Sequence, residues 1–169
     1  GPDTPYRPGP IPVVFVHGTA SSPARWAQMY NRLANSSRTT DRYQFWFFAY
    51  DTGAPIPYSA RVLRDSLQEA VFSVDPEGRD EALKHMVLIG HSQGGLLVKM
   101  TAISTGSKLW DGVAREPLDN LKLSEASRED LRTMMFFEPL PCVERVVFMS
   151  TPHRGSFQAR NVVADLFRR

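Results

Sequence analysis

A serine flanked by glycines, in Gly90-His91-Ser92-Gln93-Gly94, is the stretch best suited to chemistry. An apolar run, Met86–Gly90, leads into it, and apolar residues resume at helical spacing from Leu96. The run predicts a buried strand and the spacing predicts a helix, so the serine lies in a sharp strand-to-helix turn. A hydroxyl projected from such a turn is a nucleophile for a carbonyl carbon.

The residues around Ser92 fit this interpretation. Gly90 and Gly94 leave room for the backbone to reverse. The backbone N–H of Gln93, at the start of the helix, would face the negative oxygen of a carbonyl under attack. An ordinary glycine-rich turn with a capping serine is the alternative, but it gives no reason for a strand before the motif and a helix after it.

Composition and charge restrict the class of protein. The 169 residues suffice for one domain, and 42% hydrophobic with 22% charged residues is typical of a globular protein. A net charge of +2 predicts no nucleic-acid partner. The single cysteine, Cys142, excludes an internal disulfide. We expect no transmembrane segment and no signal peptide in this chain, and its compartment stays open.

Strands and helices alternate, which predicts a doubly wound parallel sheet of the α/β class. Residues 1–12 are predicted to be a proline-rich, extended lead-in and residues 13–169 the domain. Residues 105–141 break the alternation and predict an excursion over the active-site edge. The predicted strands are Val13–Val16, Tyr43–Tyr50, Met86–Gly90 and Val143–Met149. Helices are predicted to start at Ser22 and Ser59, to run from the sharp turn at Ser92 (the elbow) to near Gly106, and to cover Ser124–Met135 and Phe157–Arg169.

Polar residues follow all four predicted strands. Each of the following begins within two residues of the end of a strand: His17-Gly18-Thr19, Asp51, Ser92 and Thr151-Pro152-His153. Because parallel strands share one carboxyl edge, and ligands bind at that edge, we expect these residues to meet there.

Three motifs resemble those of α/β-hydrolases of the serine esterase and lipase type, in particular bacterial lipase-like hydrolases. They are Val-Phe-Val-His-Gly-Thr at 14–19, Gly-His-Ser-Gln-Gly at 90–94 and Ser-Thr-Pro-His-Arg-Gly-Ser at 150–156. The resemblance covers the chain after residue 12. It implies an oxyanion hole built from the backbone amides of Thr19 and Gln93, a supporting loop at His17 and Gly18, and no cofactor. It also implies that the strands are the third to sixth of the family sheet, in the spatial order fourth, third, fifth, sixth, so that the fold is incomplete at its C-terminal side.

The resemblance further implies an acid and then a histidine after the nucleophile. Only His153 follows Ser92, at a strand exit where the family does not place its base. We therefore expect both partners to come from sequence beyond residue 169, and this chain alone to be inactive or very weak. His153 as the base and Asp51 as its orienting acid remain alternatives, although capping of a turn is the better interpretation of Asp51.

The other histidines have simpler roles. We expect His17 to hold its turn by hydrogen bonding, His91 to point away from the substrate and His85 to be solvated. No histidine or cysteine spacing is typical of a metal site, so none is predicted.

These features together predict a serine hydrolase that cleaves small-molecule carboxylic esters, of acyl or lipid-like type, including lipids at a membrane surface. A non-catalytic binding domain is one alternative, and an acyltransferase or peptidase on the same scaffold is another. A sheet that stops after four strands exposes its outer edge, so we expect the fragment to dimerise or to pair with its missing C-terminal part.

Overall fold

The computed structural model describes residues 5–154 of the chain. Within this range four parallel strands form one sheet, in the order β2-β1-β3-β4. This confirms the predicted doubly wound parallel sheet and its spatial order. The strands are β1 (Ile11–Val16), β2 (Tyr43–Phe48), β3 (Met86–His91) and β4 (Val143–Met149).

Helices connect consecutive strands and cover the sheet. The α-helices of the described range are α1 (Ala27–Ala34), α2 (Ser37–Arg42), α3 (Ile56–Val74), α4 (Gln93–Lys99), α5 (Lys108–Asp111) and α6 (Glu125–Met135). Short 3-10 turns lie at Pro23–Trp26, Glu81–Lys84 and Leu118–Asn120.

The central strand β1 is apolar on both faces, which explains its unbroken run of valine and phenylalanine. Because successive side chains point to opposite faces, Val13 and Phe15 pack with Trp26 and α1, whereas Val14 and Val16 pack with α3 and α4. All four of these strand residues are buried. The double covering fixes the ends of β1 and β3, which carry the candidate site.

Two sequence predictions of helix ends are wrong. Ser59 does not cap α3, because the helix begins one turn earlier at Ile56 and Ser59 is buried within it. The helix after the elbow ends at Lys99 and not near Gly106, because the N–H groups at 100–102 turn back to carbonyls only three residues earlier. The polar stretch after Asn35 contains the short helix α2.

Residues 105–141 form α5, a 3-10 turn and α6 around an apolar cluster of their own, which contains Trp110. The predicted start of α6 is confirmed, since the Ser124 hydroxyl accepts the Ser127 N–H. The guanidinium of Arg64, on α3, lies 3.9 Å from the centre of the Phe137 ring. The contacts thus place this segment beside α3, and its position over the active-site edge stays a prediction.

The remaining predictions concern the two ends of the chain. In the lead-in, the amide of Gln44 donates to the carbonyl of Pro10 at 2.7 Å, which ties residues before β1 to β2. The predicted helix at Phe157–Arg169 lies outside the described residues, and the division at residue 12 stays a prediction. Within residues 5–154, no helix combines the length and the apolar character needed to cross a membrane.

Candidate active site

Ser92 occupies the bend between β3 and α4, and its backbone is strained at φ 53° and ψ −123°. A non-glycine residue keeps such a conformation only where its surroundings impose it. Here the Ser92 N–H donates to the carbonyl of Met149 at 2.8 Å, and its own carbonyl accepts the Gly95 N–H at 3.0 Å. The predicted strand, turn and helix around Ser92 are therefore confirmed, and its side chain is only partly buried.

The loop after β1 lies directly against this bend. A Cβ atom added to Gly18 would come within 2.8 Å of Cβ of Ser92, so only glycine allows this approach. Gly94, in the first turn of α4, packs against the backbone carbonyls of Val16 and His17 so closely that a Cβ would overlap them. Gly90 is buried beneath the same turn. The motif glycines bring the end of β1, the bend and α4 together.

Thr19 and Gln93, whose amides the resemblance assigns to the oxyanion hole, are joined through their side chains. The Thr19 hydroxyl donates to Oε1 of Gln93 at 2.5 Å. Across residues 5–154, neither the Thr19 N–H nor the Gln93 N–H has a hydrogen-bond partner. Gln93 opens α4, where the helix dipole adds positive potential. Two unpaired donors of this kind can stabilise a developing oxyanion.

His17 stabilises the turn before Thr19 rather than facing Ser92. Its ring is buried and stacks on Tyr50 with 4.6 Å between ring centres, and its Nδ1 lies 3.1 Å from the Gly18 carbonyl oxygen. The Tyr50 hydroxyl donates to the His17 carbonyl at 2.8 Å. Burial raises the pKa of Tyr50 to about 12, so the hydroxyl keeps its proton at neutral pH.

Tyr50 and Thr52 support the loop after β1, but they were not among the predicted site residues. Thr52 accepts the N–H of Ala20 at 3.2 Å, and Ala20 has a positive φ of 51°. Both residues therefore hold the loop after β1 from the end of β2. The register of β1 and β2 is the signal that could have identified both residues. Because Val16 pairs with Phe48, residues 50–52 lie beside the loop after β1.

Asp51 lies at the carboxyl edge of the sheet, but its side chain caps the turn at residues 51–53 and does not contact Ser92. Its carboxylate accepts the Gly53 N–H at 2.8 Å, and the side chain is exposed. This contact is the turn cap that the sequence favoured. His153 is exposed and its ring lies edge-on to Phe148 at 4.6 Å. No hydrogen bond joins a histidine of residues 5–154 to Ser92.

His91 points to the face of the sheet that α1 covers. A guanidinium nitrogen of Arg25 lies 3.1 Å from its Nε2. Because guanidinium only donates, Nε2 accepts and the ring proton lies on Nδ1, which is buried without a partner among the described residues. Burial and, second, the charge of Arg25 lower the pKa of His91. The ring is therefore neutral at pH 7.

The described part of the chain holds no cluster of three or more His, Cys, Asp or Glu side chains that could bind a metal ion. The candidate site consists of backbone donors, one hydroxyl and their supports.

A parallel sheet in this order, with a serine in a strained bend at its carboxyl edge, defines the α/β-hydrolase class. A model of the PGAP1-like alpha/beta domain family matches residues 7–112, and the chain belongs to this family. No curated protein sequence is significantly similar to the chain.

Similar solved structures include the Bacillus licheniformis lipase BlEst2. Its mature form is 19% identical with a TM-score of 0.52, over 100% of this chain and 55% of the lipase chain. Its propeptide form is 19% identical with a TM-score of 0.51, over 94% of this chain and 26% of that chain. An acetyl xylan esterase is 19% identical with a TM-score of 0.45, over 85% of this chain and 64% of the other. The chain thus spans about half of the mature lipase, whose fold it shares.

Proposed function

We propose that the chain is the nucleophile-bearing part of a serine hydrolase that cleaves carboxylic esters through an acyl-enzyme at Ser92. One observation carries the proposal: a partly exposed serine is held at φ 53° in a strand-to-helix bend, with the Gly18 loop packed against it. Such strain persists where the surrounding structure imposes it, and it clusters at active sites. A capping serine does not need this conformation, since a cap residue has ordinary extended backbone angles.

In the proposed reaction the Ser92 hydroxyl oxygen attacks the ester carbonyl carbon while a general base takes its proton. The carbonyl oxygen becomes an oxyanion that accepts hydrogen bonds from the N–H groups of Thr19 and Gln93. Collapse of this intermediate breaks the bond to the alcohol, which leaves with the proton from the base. Water, which gives a proton to the base, then attacks the acyl carbonyl carbon; the bond to the Ser92 oxygen breaks, the carboxylic acid leaves, and the base returns the proton to Ser92. Loss of one fixed donor of this type costs about 3 kcal/mol in the transition state.

The base in this proposal lies outside residues 5–154, because no described histidine hydrogen-bonds to Ser92. The chain spans 55% of the mature lipase, which leaves room for further catalytic residues in a whole protein of that size. We therefore expect the chain alone to be at best weakly active, since an oxyanion hole without a complete triad retains rates on the order of 10³ over water.

The proposed substrate is a small-molecule acyl or lipid-like ester, either free or at a membrane surface, and no nucleic acid takes part. Membership of the PGAP1-like family and the fold shared with a lipase support the hydrolase part of this proposal. Because the natural ester is not identified, the test measures the reactivity of Ser92 directly and needs no particular substrate.

A fluorophosphonate probe, which forms a covalent bond to activated serines, provides that test. We expect labelling of the chain extended at its C-terminus, slow or no labelling of the 169-residue chain, and none of the Ser92→Ala variant. Ser22→Ala is the matched control, because Ser22 is also at a helix start but is exposed and its side chain makes no capping hydrogen bond. An extended form that stays unlabelled would instead favour a non-catalytic binding domain.

A further inference from the structure

His91 connects the bend at Ser92 with both ends of the loop after β1. At the start of this loop, a Cβ on Gly18 would lie 3.2 Å from Nδ1 of the His91 ring. Just after the loop, a guanidinium nitrogen of Arg25 lies 3.1 Å from Nε2 of the same ring. The two ring nitrogens thus face residues on either side of Thr19, whose backbone N–H is a candidate oxyanion donor.

The bond between Arg25 and His91 depends on the protonation state of the ring. Guanidinium only donates, so Nε2 must carry a free lone pair to accept. A proton on Nε2 would remove this acceptor and place two positive charges 3.1 Å apart. Repulsion would then push Arg25, and the 3-10 turn that carries it, away from the end of β3.

No nearby carboxylate would compensate for the added charge. The charged side chains that share the surface next to His91 are Arg25 and Arg32, and no described aspartate or glutamate lines it. From the other elements packed against the ring, Met149 of β4 and Gly18 of the loop contribute no titratable group. Burial and then the charge of Arg25 lower the pKa of His91, so the ring is neutral at neutral pH and gains its proton only in mild acid.

Two other supports of the loop keep their hydrogen bonds in mild acid. The hydroxyls of Thr52 and Tyr50 hold the loop from the residues that follow β2. Burial raises the pKa of Tyr50 to about 12, so its hydroxyl keeps its proton. Because these bonds persist when His91 is protonated, loss of the Arg25 contact should loosen the loop but not detach it.

We propose that His91 is a positioning residue for the reaction of Ser92: its neutral ring holds Arg25 and the loop after β1 in place, and its protonation in mild acid loosens that loop. The proposal rests on the proposed hydrolase function and adds its regulation by pH. His91 acts through the amide of Thr19. It does not touch the substrate and takes no part in proton transfer, since its ring lies against Arg25 and Trp26 on the face of the sheet that α1 covers.

The first test measures the rate of fluorophosphonate labelling of the C-terminally extended chain at about pH 7.5 and about pH 5. His91→Gln can still accept from Arg25 but does not titrate. The general base and the other histidines titrate in both proteins, so the ratio of the two rates isolates His91. We expect the original chain to match the variant at the higher pH and to be about fivefold slower at the lower pH. A ratio that does not change with pH would overturn the proposal.

His85→Gln is the matched control. His85 lies just before β3, at the opposite end of the strand from Ser92, and its Nδ1 is 3.1 Å from a carboxylate oxygen of Glu144. This variant should show the pH dependence of the original chain. Arg25→Gln removes the second positive charge, so its labelling rate should change less with pH. Equal effects of His85→Gln and His91→Gln would contradict the proposal.

The second test observes the loop directly and needs no turnover. In proton–nitrogen NMR spectra of the extended chain with Ser92→Ala, the amide signals of Thr19 and Ala20 should shift with the same midpoint pH as the ring signals of His91. The same amides should shift less when His91→Gln is added. Loop signals that stay fixed while His91 titrates would show that the ring does not hold the loop.

Failure of this inference differs from failure of the hydrolase proposal. Labelling of Ser92 with a pH-independent ratio would remove only the role of His91. Loop signals that follow His91 in a protein whose Ser92 is never labelled would leave His91 as a support of the loop and remove the hydrolase.

Discussion

The Thr19 hydroxyl donates a 2.5 Å hydrogen bond to the side-chain carbonyl oxygen of Gln93 and so joins the loop after β1 to the first residue of α4. The two residues are 74 positions apart in sequence. In the proposed reaction each contributes one backbone N–H to the same oxyanion. The bond between their side chains restrains the loop relative to the helix, and in that reaction such a restraint would supply the preorganisation that makes oxyanion sites effective.

Removal of this bond should slow the reaction of Ser92. We expect Thr19→Val in the C-terminally extended chain to lower the rate of fluorophosphonate labelling about tenfold, because the loop no longer holds its amide in place. Thr19→Ser retains the hydroxyl and should label at nearly the original rate. Labelling of Thr19→Val as fast as the unmodified chain would show that the bond does not position the amide.

Gly94 should resist substitution because of its packing. A Cβ at this position would overlap the backbone carbonyls of Val16 and His17, which cannot rotate away. We expect Gly94→Ala to lower the free energy of unfolding by about 1–3 kcal/mol in a urea titration.

Gly112→Ala is the matched control for Gly94→Ala. Gly112 has ordinary helical backbone angles, and a Cβ there would lie 3.4 Å from the nearest atom, the Lys108 carbonyl oxygen. This variant should be as stable as the original or gain up to about 1 kcal/mol. Equal destabilisation by the two variants would contradict the packing explanation.

His91 should make the fold less stable in mild acid. Its pKa in the folded chain is lowered, first by burial and then by Arg25, so the unfolded chain binds a proton at a higher pH than the folded chain does. The free energy of unfolding should therefore be unaffected by this group above about pH 6.5 and should fall as the pH drops below that value.

The measurement compares urea midpoints at about pH 7 and about pH 5 for the original chain and for His91→Gln. The glutamine variant can still accept from Arg25 but does not titrate, so it should lose less stability on acidification. Identical losses in both proteins would exclude His91 as the source.

The free side of β4 should cause self-association of the 169-residue chain. Among residues 5–154, β4 pairs only with β3, and Val147 and Phe148 on it are 42% and 40% exposed. We expect light scattering after size-exclusion chromatography to show a dimer whose fraction rises with concentration.

Phe148→Lys should shift this equilibrium toward the monomer, since a charge on an edge strand opposes pairing. Phe72→Lys is the control, because Phe72 is 70% exposed but lies on α3, away from the sheet edge. A monomer of the unmodified chain at every concentration would contradict the prediction.

The order and direction of the strands could be predicted because each has a local signal. The apolar run of β1 requires burial on both faces, and the aromatic β2 and the branched residues of β4 are typical of strands. The bend at Ser92 was predictable for the same reason, since its glycines, strand and helix are adjacent in sequence.

Helix ends and supporting contacts were harder to predict. Ser59 has the chemistry of a cap, yet burial of the first turn of α3 against the sheet decides where that helix begins. Tyr50, Thr52 and Arg25 act on residues more than thirty positions away, through the register of β2 and the packing of the turn before α1. Spacing along the chain carries no information about such partners.

The hydrogen bond from the Ser92 N–H to the Met149 carbonyl makes the outermost strand part of the bend that displays the hydroxyl. Fraying of β4 would release Ser92 from its unusual backbone angles. A further strand paired with the outer side of β4 would make β4, and with it the bend at Ser92, more rigid. Reactivity of the hydroxyl and completion of the sheet are thus expected to rise and fall together.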